Sequence, residues 1–184
     1  MSEIAERYRR VAGRFTERVH EVPDAAWDNP APCEGWDARD VVRHLVEWLP
    51  AFMDAAGGPP IAVGPSVDDD PAGAWDVLNA SVQSLLDDPV ASAAEISHPQ
   101  AGTHRFDDAI ATFFLGDVVV HTWDLARATG LDETLDPEAA HDMLIGMEPL
   151  DDMLRASGQY GPRVEVGADA DEQTRLIAFT GRQP

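Results

Sequence analysis

Lysine is missing altogether: all thirteen basic residues are arginine, set against 34 aspartates and glutamates, for a net charge of -21. A surface so poor in positive charge repels phosphate backbones and anionic lipid headgroups, which argues against nucleic acid and membrane surfaces as partners. Cysteine occurs once, at Cys33, so an internal disulfide is excluded and a reducing cytoplasm is the expected location. The stretch from Met1 to Arg10 is charged and lacks the apolar core of a signal peptide, and no run approaches the ~18 apolar residues of a membrane span. Internal repeats and low-complexity tracts are absent too. Arginine in place of lysine, with abundant Ala, Gly, Asp and Pro, fits GC-rich codon usage and a well-solvated acidic surface. The 184 residues, 44% hydrophobic, suffice for one sizeable core, and a single domain over residues 1–184 is expected.

Apolar residues from Ile4 through Tyr8, Val11, Phe15, Val19 and Val22 recur every three or four positions and predict a surface helix ending near Pro23. Residues 24–37 hold Pro30, Pro32 and Gly35 and read as a loop, packed down because it carries Trp27 and Trp36. Asp37 is placed to cap a second helix, with Asp40 in its first turn and Val41, Leu45, Trp48 and Phe52 as its stripe. The Gly57-Gly58-Pro59-Pro60 run stops it. Asp70 and Pro71 open a third helix, with Trp75, Leu78, Val82, Leu85 and Leu86 facing the core and Pro89 at its end. From Ala94 to Phe106 a hairpin or irregular crossover is expected. A fourth helix runs from about Asp107 to Thr129 and stops at Gly130. Glu138 to Ala156 forms a fifth helical segment kinked or broken at Pro149, followed by an extended piece over Arg163–Val166 and a last helical turn or two within Ala170–Thr180. Four main helices and little strand signal predict an all-α four-helix bundle with a short crossover and a small C-terminal appendage.

The chemistry concentrates in Asp117-Val118-Val119-Val120-His121. On a helix Asp117 and His121 stand one turn apart, about 6 Å along the axis, and can close on one divalent ion as two histidines at this spacing do. As a strand, which the three valines favour, the same residues would lie about 13 Å apart and could not. The helix is the better reading, because the Pro-free stretch from Phe106 to Gly130 exceeds an ordinary strand. His44 lies within the stripe of the second helix and is the third candidate ligand; taken alone it reads as a core histidine with a hydrogen-bonded partner. Asp117 changes that balance, since a carboxylate in an apolar helix needs an ion pair, to His121 or an Arg, or a metal. Two nitrogens and one oxygen leave a coordination position open, as at catalytic zinc sites. Asp124, one turn further on, suits an acceptor behind a ligand or an Arg partner better than a fourth ligand. Cys33 reads either as a nucleophile near the second helix's start or, more economically, as a small buried loop residue. His98, His104 and His141 lack partners at ligand spacing and His20 lies near the end of the first helix, so each reads as structural or exposed, while Trp48 and Trp123 could wall a pocket beside the ligands.

Two motifs go further: Pro32-Cys33-Glu34-Gly35-Trp36 with Asp40-Val41-Val42 and His44-Leu45-Val46, and the run from Asp117 through His121-Thr122-Trp123-Asp124 to Gly130. Together with the tail from Gly161-Pro162 to Gly181-Arg182, they resemble actinobacterial metal-binding proteins related to the N-terminal domain of mycothiol-dependent maleylpyruvate isomerase, within the DinB-like superfamily. The resemblance implies a DinB-like bundle, a divalent metal, usually Zn2+, and a low-molecular-weight thiol such as mycothiol as cosubstrate. Carried over by position, the metal ligands are His44, Asp117 and His121. The isomerase branch has Glu where this chain has Asp117, and a further C-terminal domain for which 184 residues leave no room, so the resemblance points away from maleylpyruvate isomerisation itself. The expected function is metal-dependent thiol S-transfer to a small-molecule substrate, with a metal-dependent hydrolase and a non-catalytic binding protein as alternatives. A second copy of the chain, in a homodimer, is the one macromolecular partner left open.

Overall fold

The computed structural model describes residues 2–156, 158 and 160–184. Helix α1 (Glu3–Glu21) opens at Ser2, whose hydroxyl accepts from the Ala5 N–H and satisfies one of the amides a first turn leaves unpaired. Tyr8, Val11, Phe15 and Val19 then fall on one buried face. Helix α2 (Ala38–Ala55) starts with a full capping box: the Asp37 carboxylate accepts from the Asp40 N–H at 2.9 Å, and the Asp40 carboxylate accepts from the Asp37 N–H at 3.2 Å. Helix α3 (Pro71–Asp87) has Pro71 in its first turn and the Asp70 side chain on the Gly73 N–H. The long helix α4 (Phe106–Thr129) ends on Gly130 at φ +72°, a conformation that costs glycine little.

These four helices close a ring: α1 lies against α3 and α4, and α2 lies against the same two. That is the expected four-helix bundle, predominantly all-α. Its centre is filled by large side chains, among them Trp75, which meets Phe15 edge-on at 4.5 Å and donates its indole N–H to Thr16 Oγ1 at 2.8 Å. Aromatic groups bury much area, and the hydrogen bond removes the penalty of the polar nitrogen. Between α3 and α4 the chain forms a one-turn helix, Pro89–Ser92, and an antiparallel hairpin of β1 (Glu95–His98) and β2 (Gly102–Arg105), in register Glu95 with Arg105. The crossover is thus the hairpin of the two expected forms.

Helix α4 holds the site, and it is helical across the three valines, so the strand alternative falls. Every residue from Val118 to Ala126 is buried. By length and composition α4 could cross a membrane, contrary to the expectation that no segment reaches that standard; most of its apolar window is buried inside the bundle, which accounts for the hydropathy as core. A π turn over Ile110–Phe114 precedes the site. The wider turn there shifts the face carrying Ile110 and Phe114 relative to the face carrying Asp117 and His121.

Other expectations need smaller corrections. The deepest stripe of α2 is Val41, Val42, Leu45, Leu49 and Met53; Trp48 and Phe52 are half-buried beside it, and so is His44. In α3, Leu85 is only partly buried. Pro149 breaks the fifth helical segment into α5 (Pro137–Met147), a 3-10 turn (Glu148–Leu150) and a short helix (Asp151–Ala156), because its ring removes an N–H from the ladder. Arg163–Val166 joins no sheet, although the Val164 N–H donates to the Ala178 carbonyl at 2.9 Å. Helix α6 (Glu172–Phe179), capped by Asp171, packs on α5 and completes the appendage.

Candidate functional site

The site is built where α2 and α4 face one another. His44, from the middle of α2, donates its Nε2–H to Asp117 Oδ2 on α4 at 3.0 Å. One turn along α4, His121 Nε2 lies 3.8 Å from the other oxygen, Asp117 Oδ1. The carboxylate therefore sits between two imidazoles whose ring centroids are 4.9 Å apart. Burial pushes the Asp117 carboxyl up, but the His44 hydrogen bond and the neighbouring positive character of His121 and His44 outweigh it and hold the group below the usual carboxylate range. The Trp48 indole N–H adds a smaller pull in the same direction; its nitrogen is buried and lacks a well-formed hydrogen bond among the described residues.

Behind His121 stands a second layer. His121 donates its Nδ1–H to Asp124 Oδ2 at 2.8 Å. The Asp124 side chain is wholly buried, and both of its oxygens accept from the guanidinium of Arg182, Nε to Oδ1 and Nη2 to Oδ2, each at 2.7 Å. Burial again pushes the carboxyl up, and the bonds from His121 and Arg182 bring it below the ordinary value. Cys33 Sγ completes the group, 3.3 Å from Arg182 Nη2 and 3.6 Å from Asp124 Oδ2. The thiol arrives there because Pro32 to Trp36 form a tight turn, closed by the Trp36 N–H on the Cys33 carbonyl and passing through Gly35 at φ +79°. The same turn lays the Trp36 ring over His121 at 5.7 Å and beside His44 at 5.1 Å.

His44 Nε2, His121 Nε2 and an Asp117 oxygen could hold one divalent ion. The three ligand atoms lie within 4.8 Å of one another; His44 Nε2 meets one Asp117 oxygen at 3.0 Å and His121 Nε2 the other at 3.8 Å, against about 3.3 Å between two donors that each stand about 2.0–2.1 Å from a tetrahedral zinc. The donor chemistry fits as well, since the Nδ1–H of His121 is committed to Asp124, which leaves its Nε2 lone pair toward Asp117. The His44 and Asp117 side chains stay about a third exposed, at 31% and 29%, so a ligand from solvent has a way in. Cys33, His121 and Asp124 also form a compact cluster, but the Arg182 guanidinium between Cys33 and Asp124 supplies the positive charge an ion would bring there. That cluster is better suited to support than to bind.

Burial and the Asp124 charge push the Cys33 thiol up to about 11, with Arg182 pulling the other way. Such a thiol carries little thiolate at neutral pH, which weakens Cys33 as a nucleophile. Alkylation of the native protein by iodoacetamide at pH 8 is expected to be about two orders of magnitude slower than for a free cysteine, and to accelerate steadily toward pH 11. Reaction at the free-cysteine rate would contradict this environment.

The sequence model of the mycothiol maleylpyruvate isomerase N-terminal domain matches residues 8–126, more than half of the chain. The chain belongs to the mycothiol maleylpyruvate isomerase N-terminal domain family. Two Mycobacterium tuberculosis proteins, the uncharacterized MT0763 of strain CDC 1551 / Oshkosh and the uncharacterized Rv0738 of strain ATCC 25618 / H37Rv, are each 25% identical over 181 residues, covering 95% of this chain and 95% of their own. No solved structure matches. The family's match takes in Cys33, His44, Asp117, His121 and Asp124 and ends before Arg182.

Of the residues singled out in sequence, His44, Asp117, His121, Asp124 and Cys33 are brought together. Trp48 borders the site, 6.1 Å from the His44 ring, but Trp123 does not: it is buried with Arg127 over its face. Trp36 takes the place expected of Trp123. His98 stacks on Phe52, His104 meets Phe113, and His20 and His141 pair with Asp76 and Glu172 at the surface. Two contributors were missed. Arg182 reaches Asp124 from 58 residues away, and Tyr160 is near enough to Asp117 for that charge to add to the effect of burial in raising its phenol. Only the Gly181-Arg182 pair, already part of the resemblance, offered a signal for the first; nothing local marked the second.

Proposed function

We propose that this family member is a metal-dependent thiol S-transferase, with His44, Asp117 and His121 holding a divalent ion, most simply zinc, and mycothiol or a thiol like it as cosubstrate. The observation that carries the proposal is the convergence of two imidazole nitrogens and a carboxylate from separate helices onto one partly open point. A divalent ion bound there supplies Lewis acidity, lowering the pKa of an incoming thiol near neutral pH. The protein's part is positional. His121 is fixed in tautomer by Asp124, and His44 and His121 are flanked by the Trp36 ring, which keeps bulk water from that side of the site. The negative charge of Asp117 attracts the cation, while the exposed edge of His44 and Asp117 leaves room for a small electrophile.

The test is metal analysis of purified wild type beside His44→Ala and Asp117→Ala, followed by conjugation of mycothiol to small electrophiles by the metal-loaded protein. Metal in the wild type, at most a tenth of it in each variant, and thiol-dependent turnover are expected. Equal metal in all three would remove the site. Retained metal with thiol-independent hydrolysis, or with no turnover on any electrophile tried, would replace the transferase with a hydrolase or a binding protein.

A further inference from the structure

The C-terminal tail reaches into the site by a specific route. After α6 the chain passes through Gly181 at φ +90°, where an added Cβ would come within 3.1 Å of the Gly161 backbone, so only glycine lets the two segments cross this closely. The next residue is Arg182, held by its own N–H on the Ile177 carbonyl at 3.2 Å. Its side chain is 15% exposed and ends on a carboxylate with no exposure at all. That carboxylate, Asp124, is the acceptor for His121.

We infer that Arg182 is a positioning residue for His121, acting through Asp124, and that the tail is thereby part of the candidate metal centre. A carboxylate held at both oxygens by one planar fork cannot rotate about its last side-chain bond without breaking two charge-assisted hydrogen bonds. Its plane is thus fixed where Oδ2 meets the His121 Nδ1–H, and the imidazole is kept in the tautomer that turns a free Nε2 toward Asp117. Without the fork the carboxylate turns freely, the ring can take the other tautomer, and a proton then stands where a metal would bind. The consequence for metal affinity rests on the function proposed above; the tautomer itself does not.

The experiment has two readouts on wild type, Arg182→Ala and Arg182→Lys. Nitrogen NMR of the metal-free protein reads the His121 tautomer, and competition with a chromophoric chelator reads zinc affinity. At a pH where the His121 ring is neutral, the wild type is expected to show a single Nδ1–H form. Arg182→Ala is expected to show a mixture and to lose about 10–100-fold in zinc affinity, as removal of a group behind a histidine ligand does. Arg182→Lys keeps the charge but not the fork, and should fall between the two. If Arg182→Ala does not fold, by circular dichroism, Arg182→Lys is decisive: wild-type tautomer and affinity within twofold in a folded variant overturn the inference. A wild type with the single tautomer but no zinc binding would sink the metal reading while leaving the role of Arg182 in place.

Discussion

Replacing Asp124 by alanine is expected to lower the free energy of unfolding by about 3–5 kcal/mol, because it strips the partner from a largely buried guanidinium. The change removes three charge-assisted hydrogen bonds at once, one from His121 and two from Arg182, and the small side chain supplies no acceptor in return. Neither stranded group can be rehydrated cheaply. His121 lies in the buried run of α4, at 6% side-chain exposure, while Arg182 can escape only if the tail swings away and exposes Phe179, itself 1% exposed. The double variant Asp124→Ala with Arg182→Ala should be less destabilised than the sum of the two single variants by about 1–3 kcal/mol, since each single change leaves an unpaired charge and the double leaves none. Urea unfolding of the four proteins measures both quantities. A loss under about 1 kcal/mol for Asp124→Ala would mean that the pair relaxes into solvent and that the tail is not locked to α4.

The pairing of Asp124 with Arg182 also shows where sequence ceases to be legible. Asp117 and His121 could be placed together because a helix fixes i and i+4 on one face, whatever the rest of the chain does. His44 could be joined to them because a polar residue in an apolar stripe must point at something polar. The caps at Asp37 and Asp70, and the stop at Gly130, follow from local hydrogen-bond needs in the same way. Arg182 obeys no such local rule: it is the last basic residue of an irregular tail, and its partner is fixed only when α6 packs on α5 and Gly181 crosses Gly161. The π turn in α4 is hidden for a related reason, because its residues are ordinary helix formers and bundle packing decides the extra residue. Cys33 was visible as a motif residue. Its chemistry was not, since the thiol is held protonated first by burial that the loop's sequence does not specify and then by a carboxylate 91 residues away.

Zinc is expected to raise the melting temperature of the wild type by about 5–10 °C when supplied at about a hundred times its dissociation constant, and to do so only if His44, Asp117 and His121 are all present. At that ratio a ligand that binds the folded chain alone adds about 2.7 kcal/mol, and each kcal/mol moves the midpoint of a chain this size by about 2–4 °C. Without an ion the His44 Nε2–H donates to Asp117 Oδ2, and an ion held by His44, Asp117 and His121 would take the place of that proton. His44→Ala and Asp117→Ala each remove one of the three, and each should show a zinc-induced shift below about 2 °C, whatever its stability without metal. Asp117→Asn separates charge from geometry, keeping an oxygen at the same place while deleting the negative charge that attracts the cation, and should give a shift between those of the wild type and Asp117→Ala. A full shift in His44→Ala would place the ion on α4 alone or elsewhere on the acidic surface, and the link between α2 and α4 would then be a hydrogen bond with no metal to hold.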